Sequence, residues 1–133
     1  SGAFGATVAA GRLMGLDQGA MRQALGLCAT RAGGLKNQFG TMGKPLNAGF
    51  AAEVGVVCAA LARAGATSQV AGIEGAQGFG PTHAGAARET ALDGLGTAWV
   101  FPGVAWKFHA CCHGLHAMLE SLRTLRDGGL RAG

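Results

Sequence analysis

Tyrosine is absent, tryptophan occurs twice and phenylalanine six times, so aromatics make up only 6% of the 133 residues. Nucleic-acid surfaces combine a basic stripe with stacking aromatics. Here the eleven Lys and Arg are scattered along the chain despite a formal charge of +4, which argues against nucleic acid as a partner. A mildly basic solvated surface is the simplest account of that charge, and an anionic small-molecule site is the other. Charged residues are also scarce, at 14% against 49% apolar, the reverse of the balance that keeps a tail disordered. The four cysteines, Cys28, Cys58, Cys111 and Cys112, are too few and too irregularly spaced for a disulfide scaffold. Reduced thiols in a cytoplasm are the simpler reading. No uninterrupted apolar run reaches the length of a membrane span, and the opening SGAFGATVAAGR lacks the basic start and apolar centre of a signal peptide. The expectation is a cytoplasmic protein with no membrane partner, of a size suited to one ordinary domain.

What the chain has in quantity is glycine, 25 residues without a strict period. Some must serve turns with positive φ, and those within Ala-rich runs let helices approach closely at a cost in helix propensity. Helical spacing predicts a first helix from Ala3 to Leu16, stopped at Gly15, and a second from Asp17 as N-cap to about Arg31, with Gly33-Gly34 ending it. These form a helical hairpin. Residues 35–44, LKNQFGTMGK, read as a polar, glycine-punctuated loop. Pro45 then suits the first turn of a long helix, in which Leu46, Phe50, Val54, Val57 and Leu61 recur at helical spacing while alanines occupy the other faces, predicting burial nearly all round. A short helix is expected at most over Thr67 to Gly80, ended by Phe79-Gly80-Pro81, and another over Ala86 to Leu95, closed by Gly94 and Gly96. The segment TAWVFPGVAWKF, residues 97–108, suits one or two short strands or an extended crossing around a Pro-Gly turn. From Cys112 a last helix places Leu115, Met118, Leu119, Leu122 and Leu125 on one face and stops at Gly128-Gly129. The fold class is mainly α, a helical domain fragment with a short extended segment before the last helix.

The loop ending at Lys44 is the first candidate site. A flexible ammonium just before a Pro-initiated helix can meet a carboxylate, with backbone N–H groups of the loop and helix start adding to the positive field. The alternative is a solvated loop lysine. Gly40, Thr41 and Gly43 shape this loop, which is no Walker motif because the long glycine spacing is missing and Pro45 follows the lysine. Arg31 and Lys36 flank the passage into it and could widen the anion field, although solvated surface charge explains both more simply. His109, Cys111, Cys112, His113 and His116 are dense enough to suggest zinc. However, the cysteines are adjacent, His113 and His116 stand three apart, and no second half-site exists, so no metal is assigned. Cys111 and Cys112 are more simply inert small hydrophobes, and His83 is structural or exposed.

Four stretches resemble the MmgE/PrpD family, that of 2-methylcitrate dehydratase, and together they span nearly the whole chain. SGAFGATVAAGRLMGLD is similar to the family's Gly/Ala-rich helix. FGTMGKPLNAGFAAEVGVVCAALARAG is similar to its Gly-Thr-x-x-Lys-x-Leu-x-x-Gly loop and the helix after it. IEGAQGF resembles its Leu-Glu-Gly-x-x-Gly-Phe segment, and WKFHACCHGLHAMLESL its Lys-x-x-x-x-Cys-x-x-x-His element. The resemblance implies a larger protein, a helical domain joined to a smaller α+β lid. Residues 1–96 would be part of the helical domain, and 97–133 a crossing segment and the first helix of a truncated lid region. It places Lys44 and His116 as catalytic residues, with Thr41, Gly43, Asn47, Lys107, His109 and Cys112 binding substrate. His116 has a second reading as a packed or capping residue. Asn47 stands where many relatives carry histidine, and an amide hydrogen-bonds a substrate but does not act as a base near neutral pH. The Asp and His region upstream of the family's His-x-Thr motif is not in this sequence, so the implied site is incomplete here.

The expected function is therefore part of a lyase or isomerase acting on a small di- or tricarboxylate. A base removes a proton beside a carboxylate, and positive groups stabilise the charge that develops. Dehydration, epimerisation and decarboxylation all fit, no cofactor is indicated, and a homo-oligomer such as a dimer is expected. The alternative is a non-catalytic, truncated helical module that oligomerises through Ala/Gly-rich faces.

Overall fold

A computed structural model describes residues 1–85 and 88–131 and divides the chain into two units, Ser1–Glu89 and Thr90–Gly133. The first holds α1 (Gly2–Leu13), α2 (Gln18–Arg31), α3 (Gly43–Arg63) and the short α4 (Phe79–Ala84). The second holds α5 (His116–Asp127) and two 3-10 turns, Phe101–Gly103 and His113–Leu115. Another 3-10 turn, Glu89–Leu92, straddles the boundary. The mainly α reading stands, and no strand occurs among the described residues.

The hairpin forms where turn chemistry places it. Gly15 takes φ 73°, and Leu16 N–H donates back to Gly11 O at 2.9 Å, closing α1. Asp17 then caps α2, its Oδ1 accepting from Ala20 N–H at 2.7 Å. Removing an N-cap carboxylate leaves that amide without its partner. We therefore expect Asp17→Ala to lower stability by about 1 kcal/mol, read from urea unfolding followed by circular dichroism, with Asp17→Asn recovering most of the loss.

Packing in the first unit relies on small side chains. The buried apolar residues are Ala3, Ala10, Ala24, Cys28, Ala29, Cys58, Ala59 and Ala62, and Thr7 is the buried polar residue, its Oγ1 donating to Ala3 O at 2.8 Å. Without long side chains between them, α1 and α3 meet nearly backbone to backbone at Gly55. α3 was expected to be buried nearly all round. Instead Gly55, Cys58, Ala59 and Ala62 are its buried residues, while Leu46, Phe50, Val56 and Leu61 remain about half exposed. The close approach uses up the small-residue face and leaves the larger groups beside it uncovered. Mean hydropathy over one 18-residue window of α3 is 1.5, enough by length and composition for a membrane span. Glu53 lies within it, however, and one face is packed against α1 and α2. Burial pushes the Cys58 thiol above its ordinary value and nearby Cys28 adds to this, while Arg31 pulls the other way through its charge and a hydrogen bond. Both buried cysteines are free thiols.

Phe79-Gly80-Pro81, expected to end a helix, begins one. Gly78 is the N-cap of α4 and Pro81 falls in the first turn, where a missing N–H costs nothing. The expected helix from Ala86 is present only as the turn from Glu89; Ala86 and Ala87 lie outside the described residues. In the second unit, residues 104–107 are extended without forming a strand. Phe101-Pro102-Gly103 supplies the predicted turn, and every residue from 90 to 108 is exposed. α5 matches its predicted face, with Leu115, Met118, Leu122 and Leu125 half exposed along it, and ends at Gly128 with Gly129 at φ 95°.

Candidate functional site

The predicted residues fall into two sets, one in each unit. In the first, a 3-10 turn (Lys36–Gln38) follows Gly34, whose φ of 114° turns the chain away from α2. Thr41 fixes the loop: its Oγ1 donates to Gln38 O at 2.8 Å and accepts from Gly43 N–H at 3.1 Å. Gly43 leaves room for the Gln38 side chain, which a Cβ there would strike. Lys44, in the first turn of α3, is exposed and carries its Nζ 4.7 Å from the centroid of the Phe39 ring. An exposed cation over a ring gains about 0.5–1 kcal/mol, enough to bias the side chain without holding it there.

Asn47 lies one turn after Lys44 on the same helix face. Its Nδ2 donates to Leu35 O at 3.1 Å, tying the loop to α3. Beside it opens a cavity of about 170 Å³ whose walls include Arg31, Gly34, Asn47, Phe50, Ala51 and Val54. A larger cavity of about 790 Å³ lies between α2, the turns of residues 67–78 and α4. It contains none of the predicted residues and no lysine or arginine, so it is the weaker candidate for an anion. His83, at its rim, stacks on Phe79 with centroids 4.4 Å apart, and its Nδ1 is 2.9 Å from Thr82 Oγ1.

The second set gathers around the start of α5. His116 was expected one turn into the last helix; it is the first residue of α5, because the preceding turn is 3-10. Its ring is 5.2 Å from that of His109 and 4.7 Å from that of His113. The Nε2 of His116 is buried and has no hydrogen-bond partner among the described residues. A proton-transferring histidine needs such an unclaimed ring nitrogen. His109 Nε2 pairs with Glu120 Oε1 at 2.7 Å, and Arg123 approaches the other oxygen at 3.6 Å. Cys112 caps the 3-10 turn before α5, and Lys107 lies exposed in the extended segment. No group of three or more His, Cys, Asp or Glu able to hold a metal ion occurs among the described residues.

Sequence reasoning missed two neighbours of the candidate residues. Phe39 under Lys44 and Glu120 on His109 were not singled out, although Glu120 stands four residues after His116, the spacing that shares a helix face. Arg31, which the sequence offered either as part of the anion field or, more simply, as surface charge, lines the Asn47 cavity.

Comparison with known proteins places the chain in a family. Over 94% of its length the chain is 32% identical to a cis-aconitate decarboxylase of Aspergillus terreus, of which it covers 27%. It is 31% identical, again over 94% of its length, to a cis-aconitate decarboxylase-like protein, oryM, of Aspergillus oryzae, covering 28% of that protein. The chain thus spans about a quarter of the length of the curated relatives it matches. Residues 1–92 match the MmgE/PrpD N-terminal domain, a stretch that takes in the Gly/Ala hairpin, the Lys44 loop and α3, and the chain belongs to the MmgE/PrpD family.

Proposed function

We propose that this chain contributes the carboxylate-binding loop of a lyase acting on a small tricarboxylate such as cis-aconitate. The observation that carries the reading is Lys44. The loop bonds of Thr41 and the first turn of α3 place its ammonium at a helix start, and Asn47 stands one turn away beside a cavity. The cation and the amide side chain together favour a carboxylate, while the N–H groups of Gly43, Lys44 and Leu46 are already bonded to Thr41 and Met42.

The names of the relatives favour decarboxylation over dehydration or epimerisation. In that reaction the bond to one carboxyl carbon breaks, carbon dioxide leaves, and the electron pair enters the adjacent unsaturated system until a proton is delivered to carbon. A lysine paired to a remaining carboxylate stabilises the extra charge. His116, in the second unit, keeps a buried and unclaimed Nε2, the form a proton-transferring histidine takes. Asn47 hydrogen-bonds the substrate and takes no proton. Homo-oligomer formation is part of the same proposal, supported by the half-exposed Met118, Leu122 and Leu125 of α5 and Leu115 just before it.

The test is to incubate the protein carrying this chain with cis-aconitate, citrate and 2-methylcitrate, following carbon dioxide release and the consumption of each acid by chromatography. Saturable turnover of cis-aconitate alone is expected. A folded protein that neither turns over nor binds any of the three acids would sink the carboxylate reading and leave the non-catalytic module.

A further inference from the structure

We propose that Arg31 is a substrate-binding residue of this protein, gripping one carboxylate arm inside the Asn47 cavity while Lys44, one turn before Asn47 on α3, meets another. The inference rests on the carboxylate reading of the Lys44 loop and adds a second cation to it.

Three observations carry it. First, Lys44, Asn47, Ala51 and Val54 follow the three- and four-residue steps of one helix face, and the last three line the cavity. Lys44 stands one turn before the lining residues on that stripe, with its ammonium over the Phe39 ring. Second, Arg31 forms part of the opposite wall. It is the last residue of α2, and the chain leaves the helix immediately after it through the extended Ala32 and through Gly34 at φ 114°. Third, Arg31 is the charged residue among those lining the cavity, and no carboxylate pairs with it among the described residues. Its hydrogen bond toward the Cys58 thiol engages only part of a guanidinium that carries five N–H donors.

The chemistry of the walls defines the ligand. A guanidinium fork matches a planar carboxylate with two parallel hydrogen bonds. Phe50, Ala51 and Val54 present an apolar side suited to the methylene or alkene carbons of the acid. At about 170 Å³ the space is below the ~300 Å³ at which pockets for drug-sized ligands begin. It suits one arm of a short-chain acid. Two cations, Lys44 on α3 and Arg31 at the end of α2, select acids with at least two carboxylates and disfavour monocarboxylates.

A basic residue in the last turn of a helix also complements the helix dipole, and the test separates that role from binding. Calorimetric titration of the full chain with tricarballylate, and separately with cis-aconitate, is compared for wild type, Arg31→Gln, Arg31→Lys, Lys44→Gln and Arg22→Gln. Arg31→Gln is expected to weaken binding about ten- to a hundredfold, with Arg31→Lys recovering part of it. Arg22→Gln, on the exposed side of α2, leaves affinity unchanged. In wild type the Arg31 Nε–H resonance shifts as the acid is added, which a dipole-complementing side chain would not show. If Lys44→Gln weakens binding while Arg31→Gln stays within twofold of wild type, Arg31 is no ligand and the carboxylate reading survives without it. If the folded wild type binds neither acid, both fall together.

Discussion

Gly55→Val is expected to cost the first unit more than about 3 kcal/mol, and Gly55→Ala about 2 kcal/mol, as overpacking of a close helix contact. A Cβ at Gly55 would stand 2.5 Å from the carbonyl carbon of Ala6 and 2.6 Å from the amide nitrogen of Thr7. Those are backbone atoms of α1, so no rotamer change relieves the clash and the whole helix must retreat. Retreat uncovers Thr7, which is fully buried and bonded to Ala3 O at 2.8 Å, and opens the contact made by Ala3. In an exposed helix the same Gly→Ala change would gain nearly 1 kcal/mol of helix propensity, so even the sign is diagnostic. Thermal unfolding followed by circular dichroism checks it. For a unit of this size each 1 kcal/mol moves Tm by roughly 4–8 °C, so Gly55→Ala should melt about 10 °C lower. A Tm at or above wild type would show that α1 and α3 do not meet at Gly55.

The same contact explains what could be read in advance. Helix ends were legible because local chemistry fixes them: Gly15 needs positive φ, Asp17 caps its own helix, and Gly129 closes α5. Which face of α3 is buried was not legible, because leucine, phenylalanine and alanine spacing all fit one helix. The choice was made by Gly55, whose lack of a side chain lets α1 approach and leaves Phe50 and Leu46 half exposed. Phe79-Gly80-Pro81 misled for a related reason, since proline halts a helix from within but is tolerated in its first turn. The segment from Thr97 had strand-forming residues, yet a strand exists only with a partner to bond, and none forms among the described residues. At the site, the Lys44 loop was legible through its glycines and Pro45. The sequence named Arg31 as able to widen the anion field, but nothing local shows that the end of α2 and Asn47 of α3 share a cavity.

On the proposed lyase function, Lys44→Ala is expected to lower kcat/KM on cis-aconitate by about a hundred- to a thousandfold, the size of loss seen when one preorganised charge-stabilising group is removed. Folding should barely notice. Lys44 is exposed, and its contact with the Phe39 ring is worth at most about 1 kcal/mol, so Tm should stay within a few degrees of wild type. This contrast with Gly55 separates a residue that serves the ligand from one that serves packing. Lys44→Arg keeps the charge but replaces a compact ammonium on a flexible stem with a planar fork. It should restore KM more than kcat if the lysine both holds the acid and stabilises charge formed in the reaction. A lysine that only bound the ground state would raise KM on truncation and leave kcat unchanged. Steady-state kinetics of the three proteins, with Tm measured on the same samples, decide among these outcomes. Rates within a fewfold of wild type for Lys44→Ala would return that residue to the solvated loop lysine that the sequence equally allowed.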